Sequence, residues 1–207
     1  MSKLKLAVLI CLLVCDRLNA IDSNTYFVNS ATLMAPDQYL LYWNYTNTDI
    51  TFKAVVKSSG WVGFGLSPNG GMAYSDLIVA YLNQDLSNNF TNRYVGSVSS
   101  LPKINPIQYW SMLYYSQMNG YTTVIFTRKL TLCNTANSIN IVSGTQFLIF
   151  AWGNSFSNVN NYKDIAYHSP TNRSSSSLSL INTLNKNIQL NMSEIETFDF
   201  ILNVKFF

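Results

Sequence analysis

WVGFGLSPNGGMAYSDLIVAYL, residues 61–82, decides the fold. It reads as strand, turn, strand. From Trp61 to Leu66, small glycines sit between bulky apolar residues. Ser67-Pro68-Asn69-Gly70-Gly71 is a dense turn signal: proline presets φ, and the Asn-Gly-Gly run permits positive φ. Asp76 to Leu82 is a second apolar run. Met72 follows the two glycines, where neither helical nor strand periodicity assigns it to the core. Its thioether can line a pocket, reach a metal or plug the end of a β core.

The same punctuated pattern continues on both sides. Ile21 to Pro36 is polar and irregular, a leading strand and loop. Tyr39 to Asn44, YLLYWN, reads as a strand. Ile50 to Lys57 is another, with Ile50, Phe52, Ala54 and Val56 on one face and Val55 the apolar exception on the other. Ser58-Ser59-Gly60 reads as a short hairpin connection into Trp61. The Asn-rich stretch from Gln84 to Asn92 reads as a loop, Arg93 to Val98 as a strand, and Leu101 to Pro106 as a connection. Tyr109 to Tyr115 and Tyr121 to Arg128 are strands joined through Asn119-Gly120, a favourable hairpin dipeptide. Leu130 to Asn140 is a loop holding Cys133, and Gln146 to Trp152 is a buried strand. Gly153 to Lys163 is an Asn/Ser loop, and Ser174 to Ser177 is a polar run. Leu178 opens a strand or short helix, and Phe198 to Val204 forms a last strand. About nine short strands at near-regular spacing predict an antiparallel two-sheet sandwich.

Composition supports one β-rich domain. The chain has 207 residues, of which 14% are aromatic and 11% charged, enough for a sizeable core. Lys3 and Lys5, the apolar run Leu6 to Val14, and Leu18-Asn19-Ala20 form the pattern of a cleavable secretory signal over residues 1–20. Residues 21–207 are then one domain. Without the leader, the net charge of +3 falls to +1, as Lys3, Lys5 and Arg17 leave with Asp16. No basic patch argues for nucleic acid. No apolar run is long enough to span a membrane, so the expectation is an exported protein, extracellular or in the lumen of the secretory pathway. Cys133 is left without a partner, either buried and inert or free for an intermolecular bridge. Glycosylation sequons stand at Asn44, Asn89, Asn172 and Asn191.

The chemistry is bounded by scarcity. His168 is the only histidine. A zinc site of several His and Cys is excluded by count, and a copper centre is poorly supplied. Gly65-Leu66-Ser67-Pro68-Asn69 is no nucleophile elbow. Gly70-Gly71 has no following lysine to make a phosphate loop. A thioether plus an imidazole is the axial pair of a low-spin haem, and methionine raises the potential relative to two histidines. With no Cys-x-x-Cys-His, such a haem is b-type and non-covalent. The competing reading of His168 is a surface or capping histidine near a turn.

Residues 61–82, together with TRKLTLCN at 127–134, YHSPTNRSSSSLSL at 167–180 and FDFIL at 198–202, resemble the DOMON domain. The closest likeness is to the N-terminal DOMON domain of dopamine β-monooxygenase-like copper monooxygenases, over about residues 39–202. The resemblance implies an immunoglobulin-like antiparallel β-sandwich of nine to eleven strands that binds haem or a sugar. It also implies Met72 and His168 as axial ligands of haem b, with Trp61, Phe64, Tyr74 and Tyr167 as candidate walls. The expected activity is single-electron carriage to or from a redox partner protein or a small-molecule reductant. No copper monooxygenase catalytic domain is present, so enzymatic activity is not implied for this chain alone. Ser174 replaces a consensus-like glycine after Asn172-Arg173. The partner of Cys133 in longer relatives lies outside the domain, which leaves a disulfide-linked partner open. Two rival readings stand beside the cytochrome. One is a carbohydrate- or protein-binding module using Tyr109, Trp110, Tyr114 and Tyr115, residues that otherwise belong to a strand core. The other is a regulatory relative of a copper monooxygenase.

Overall fold

The computed structural model describes residues 26–83, 87–97, 101–153 and 167–181. These residues form eleven strands and no helix. One antiparallel sheet has five strands: β1 (Asn29–Met34), β2 (Tyr39–Tyr45), β3 (Asp49–Val56), β9 (Tyr121–Lys129) and β8 (Ser111–Met118), in that spatial order. The other has six: β11 (Arg173–Ser179), β10 (Thr145–Trp152), β4 (Val62–Ser67), β5 (Asp76–Leu82), β6 (Asn88–Tyr94) and β7 (Lys103–Ile104). The two pack as a sandwich.

Alternation explains the core. In β2, Tyr39, Leu41, Trp43 and Tyr45 are buried while the residues between them are half-exposed. In β3, Ile50, Phe52, Ala54 and Val56 are buried, and Val55 faces out as its parity requires. Phe52 stands opposite Trp43 on one side and Phe126 on the other. Phe52, Phe64, Trp110 and Phe126 form an aromatic cluster with centroid distances from 5.0 to 6.4 Å. Trp110 is therefore core, and its indole N–H donates to Asp76 Oδ1 at 3.2 Å.

One fully buried ion pair lies beside this cluster. Arg128 Nη1 donates to Asp76 Oδ2 at 2.8 Å, with both side chains shielded from solvent. Burial holds the Arg128 pKa below its ordinary value despite the opposing pull of Asp76, yet a guanidinium remains charged. Asp76 also receives Asn92 Nδ2 at 2.8 Å and the Ile139 amide at 3.1 Å. Charge pairing and neutral donors together satisfy the carboxylate, as a buried charge requires.

Four sequence expectations are corrected. Ser58 to Gly60 is no hairpin: β3 and β4 lie in different sheets, so the chain crosses the sandwich there. Ser58 Oγ donates to the Gly153 carbonyl at 2.8 Å, which pins the crossing to the second sheet. The strand expected over Arg93 to Val98 is instead β6, which begins in the polar stretch at Asn88 and pairs with β5 from Asp76 to Leu82. Within the expected connection Leu101 to Pro106, Lys103–Ile104 pairs with β6 as β7. The serine run at 174–177 is the body of β11, paired with β10 through seven residues. Polar strands at or next to the sheet edges are held by backbone bonds that side-chain patterns do not report. The hairpin expected at Asn119-Gly120 is present, with φ of 54° and 80° at the two residues. The final strand expected over Phe198 to Val204 lies outside the described residues.

Candidate functional site

The site is built on the two faces of β4. Val62, Phe64 and Leu66 point into the sandwich, while Gly63 and Gly65 face out. Trp61, just before the strand, shares the outer face and packs with Val79, Tyr81 and Ala151 in a small cluster separate from the main core. The glycines serve close approach. A Cβ on Gly65 would meet the Leu77 side chain and the Asp76 carbonyl, and one on Gly63 would lie 3.2 Å from the Trp61 ring. Gly153 is tighter still, because a Cβ there would strike the Trp61 indole nitrogen.

The turn after β4 is tied within itself. Gly70 takes φ of 81°, which favours glycine. The Gly71 amide donates to Asn69 Oδ1 at 3.0 Å, and the Ser67 hydroxyl donates to the Gly71 carbonyl at 2.5 Å. The Ser75 hydroxyl donates to the Met72 carbonyl at 2.5 Å. A Cβ at Gly70 would lie 3.3 Å from Phe147 and 3.6 Å from Ser175 Oγ. The turn therefore rests against β10 and β11 on the outer face. Met72 is 38% exposed, so no core seat claims its thioether. Tyr74 is exposed, with φ of 59°.

His168 enters from the other end. The turn before β11 is closed by the Asn172 amide donating to the Ser169 carbonyl at 3.1 Å. The Trp152 amide, donating to Asn172 at 3.0 Å, joins it to β10. His168 is only 8% exposed. Its ring lies 6.3 Å from Trp61 and 4.6 Å from Tyr167, which is itself exposed. Nδ1 is buried and has no hydrogen-bond partner, and neither has the Trp61 indole nitrogen. Burial lowers the His168 pKa, and the Arg173 charge lowers it further, against a smaller opposing effect of the local backbone. Burial thus favours the neutral imidazole over the cation.

Trp61, Tyr167 and His168 are therefore brought together. Met72 and Tyr74 belong to the turn at the other end of β4. Phe64 lies on the opposite face, inside the sandwich. Asn44 sits within β2 with its Nδ2 donating to the Tyr26 carbonyl at 2.7 Å. Asn89 lies in β6 and Asn172 in the turn before β11, both half-exposed, and Asn191 lies outside the described residues. Cys133 is exposed and free. Sequence reading missed Gly153 and Arg173. Gly153 carries meaning only once Trp61 is seen against it, and Arg173 was visible only as a letter of the Tyr167-to-Arg173 pattern.

Among the described residues, no three His, Cys, Asp or Glu side chains converge on a metal position, and no helix is long and apolar enough to cross a membrane. A half-exposed thioether and a buried imidazole are the donor types of a low-spin haem, and here they stand at the two ends of β4.

A β-sandwich whose six-stranded sheet carries a glycine-bearing strand, a methionine turn and a late-loop histidine defines a class of domain. The chain belongs to the DOMON domain family, whose model matches residues 36–153. It is 31% identical over 117 residues to MOXD1 homolog 2 of Drosophila melanogaster, covering 56% of this chain and 15% of that protein. It is 29% identical over 163 residues to human DBH-like monooxygenase protein 1, covering 77% of this chain and 25% of that one. The chain thus spans a quarter or less of the length of these relatives. Two solved structures share the fold. One is the cytochrome domain of Myriococcum thermophilum cellobiose dehydrogenase, with a TM-score of 0.57, 16% identity and coverage of 79% of this chain and 86% of that one. The other is the cytochrome b domain of pyranose dehydrogenase from Coprinopsis cinerea, with a TM-score of 0.54, 13% identity and coverage of 72% and 80%.

Proposed function

We propose that this DOMON domain binds b-type haem through Met72 and His168 and carries single electrons. The observation that carries the reading is His168. The chain's only histidine is buried beside β4, in contact with the Trp61 and Tyr167 rings. Met72 stands in the turn that closes the same strand, and the fold is that of two cytochrome domains. Haem bound between a thioether and an imidazole supplies a one-electron couple raised by the sulfur ligand. The chain's part is to present the two ligands and to exclude water with Trp61, Leu77 and Val79, which are all buried on the outer face. Tyr74 and Tyr167, both exposed, form the rim that a redox partner protein or a small reductant meets. Export, with glycans at Asn89 or Asn172, completes the reading. Haem titration of the mature protein tests the ligand pair: Met72→Ala should give a high-spin spectrum, and His168→Ala should lose most haem affinity. A low-spin spectrum unchanged in both variants would remove the pair.

A second reading rests on a different observation. A cavity of about 320 Å³ opens between Tyr74, Ser75, Tyr94, Thr135, Asn137 and Ser138. Tyrosine faces beside hydroxyl and amide groups suit a saccharide. Glycan-array binding by the haem-free protein supports this reading, and a blank array removes it.

A further inference from the structure

We infer that Trp61 is the positioning residue for His168: its indole, seated against Gly63 and Gly153, fixes the imidazole plane in place of a hydrogen bond at Nδ1. The consequence for an iron ligand rests on the haem reading; the platform itself does not. Histidine ligands are ordinarily oriented by donating their second ring nitrogen to a carboxylate, carbonyl or water. Here the Nδ1 of His168 is buried without such a partner, and the backbone of His168 and Ser169 acts on the ring less than its burial does, so packing must do most to set the ring. The two rings at hand are Tyr167, at 4.6 Å and 33°, and Trp61, at 6.3 Å and 52°. Tyr167 is 76% exposed, whereas Trp61 is 3% exposed, so only Trp61 is fixed firmly enough to act as a reference.

The seat of Trp61 is built from glycine. A Cβ on Gly153 would strike the indole nitrogen, and one on Gly63 would lie 3.2 Å from the ring. The Gly153 amide donates to the Trp61 carbonyl at 3.0 Å, and the Ser58 hydroxyl holds the Gly153 carbonyl. The indole N–H itself is unpartnered, so no hydrogen bond from it fixes the ring. What the position uses is a large rigid ring with Val79, Tyr81 and Ala151 behind it. Tilted ring pairs of this kind orient each other.

Because His168 is the only histidine, its ring signals are unique in an NMR spectrum, with or without haem. In the haem-free protein, the His168 carbon-bound ring protons should carry a ring-current shift that Trp61→Leu abolishes and Trp61→Phe partly retains. In haem-supplied protein, Trp61→Leu should broaden and shift the ferric low-spin EPR signal and speed haem loss at least tenfold, while Trp61→Phe stays near wild type. Gly153→Ala, which displaces the indole edge but keeps the ring, should move the same signals in the same direction. If Trp61→Leu fails to fold, Gly153→Ala carries the test. Wild-type histidine shifts and wild-type EPR in folded variants would overturn the inference. A ring-current shift in a protein that takes up no haem would overturn the haem reading and leave the platform standing.

Discussion

Asp76 gathers four donors: the Arg128 guanidinium, the Trp110 indole, the Asn92 amide and the Ile139 backbone. Arg128 also lies 4.8 Å over the Trp110 ring. Removing the carboxylate leaves a buried cation with no counter-charge. Asp76→Ala should therefore cost about 3–5 kcal/mol of stability in urea unfolding, and a loss below about 1 kcal/mol would show that the pair is dispensable. At the surface, two carboxylates act differently. The Tyr121 hydroxyl holds the Asp37 pKa below the usual carboxylate range, with Lys57 adding to it. The Thr48 hydroxyl and then Lys129 do the same for Asp49. A carboxylate with a lowered folded-state pKa stabilises the fold above its unfolded pKa, and that stabilisation is lost as pH falls through the folded value. The urea midpoint should accordingly decline below about pH 4. The Asp37→Asn, Asp49→Asn double variant should decline less steeply, and an identical slope would exclude these groups.

Among the elements, β4 constrains the molecule most. Its inner face carries Phe64 into the aromatic core, while its outer face must stay bare. Gly65→Ala should cost about 1–3 kcal/mol through forced displacement of Leu77 and the β5 backbone. Gly96→Ala, with nothing within 4 Å of the added carbon, should stay within about 0.5 kcal/mol of wild type. Equal effects would mean that β4 tolerates a side chain. The strands β2, β3, β4, β5, β9 and β10 were legible because apolar alternation or dense apolar runs mark elements that pack on a core. β6 and β11 were not: Asn88 to Tyr94 and Arg173 to Ser179 are polar, and they are strands because β5 and β10 present backbone donors and acceptors to them. The crossing at Ser58 was hidden for a related reason, since a two- or three-residue link reads the same whether it turns within a sheet or between sheets. Met72 and His168 stood out by type and scarcity, and the ligand roles given to them came from the DOMON resemblance. Phe64 was misplaced as a wall because strand parity assigns its face, whereas proximity in sequence does not.

At the scale of the whole molecule, the main core and the outer face around Trp61 are separate. Phe52, Phe64, Trp110 and Phe126 close the sandwich from inside, while Trp61, Val79 and Tyr81 form their own cluster outside it. The haem-free protein should therefore fold, with a β-type circular dichroism spectrum and cooperative unfolding. Haem should then raise the melting temperature with concentration, as any ligand of the native state does. An apo-protein without cooperative unfolding would place haem within the core instead. The central claim is tested most directly by the absorption spectrum of purified mature protein supplied with haem, recorded oxidised and then reduced with dithionite. A sharp Soret band with resolved α and β bands on reduction is the predicted result. Haem that washes away, or that gives only a broad high-spin spectrum, would contradict it.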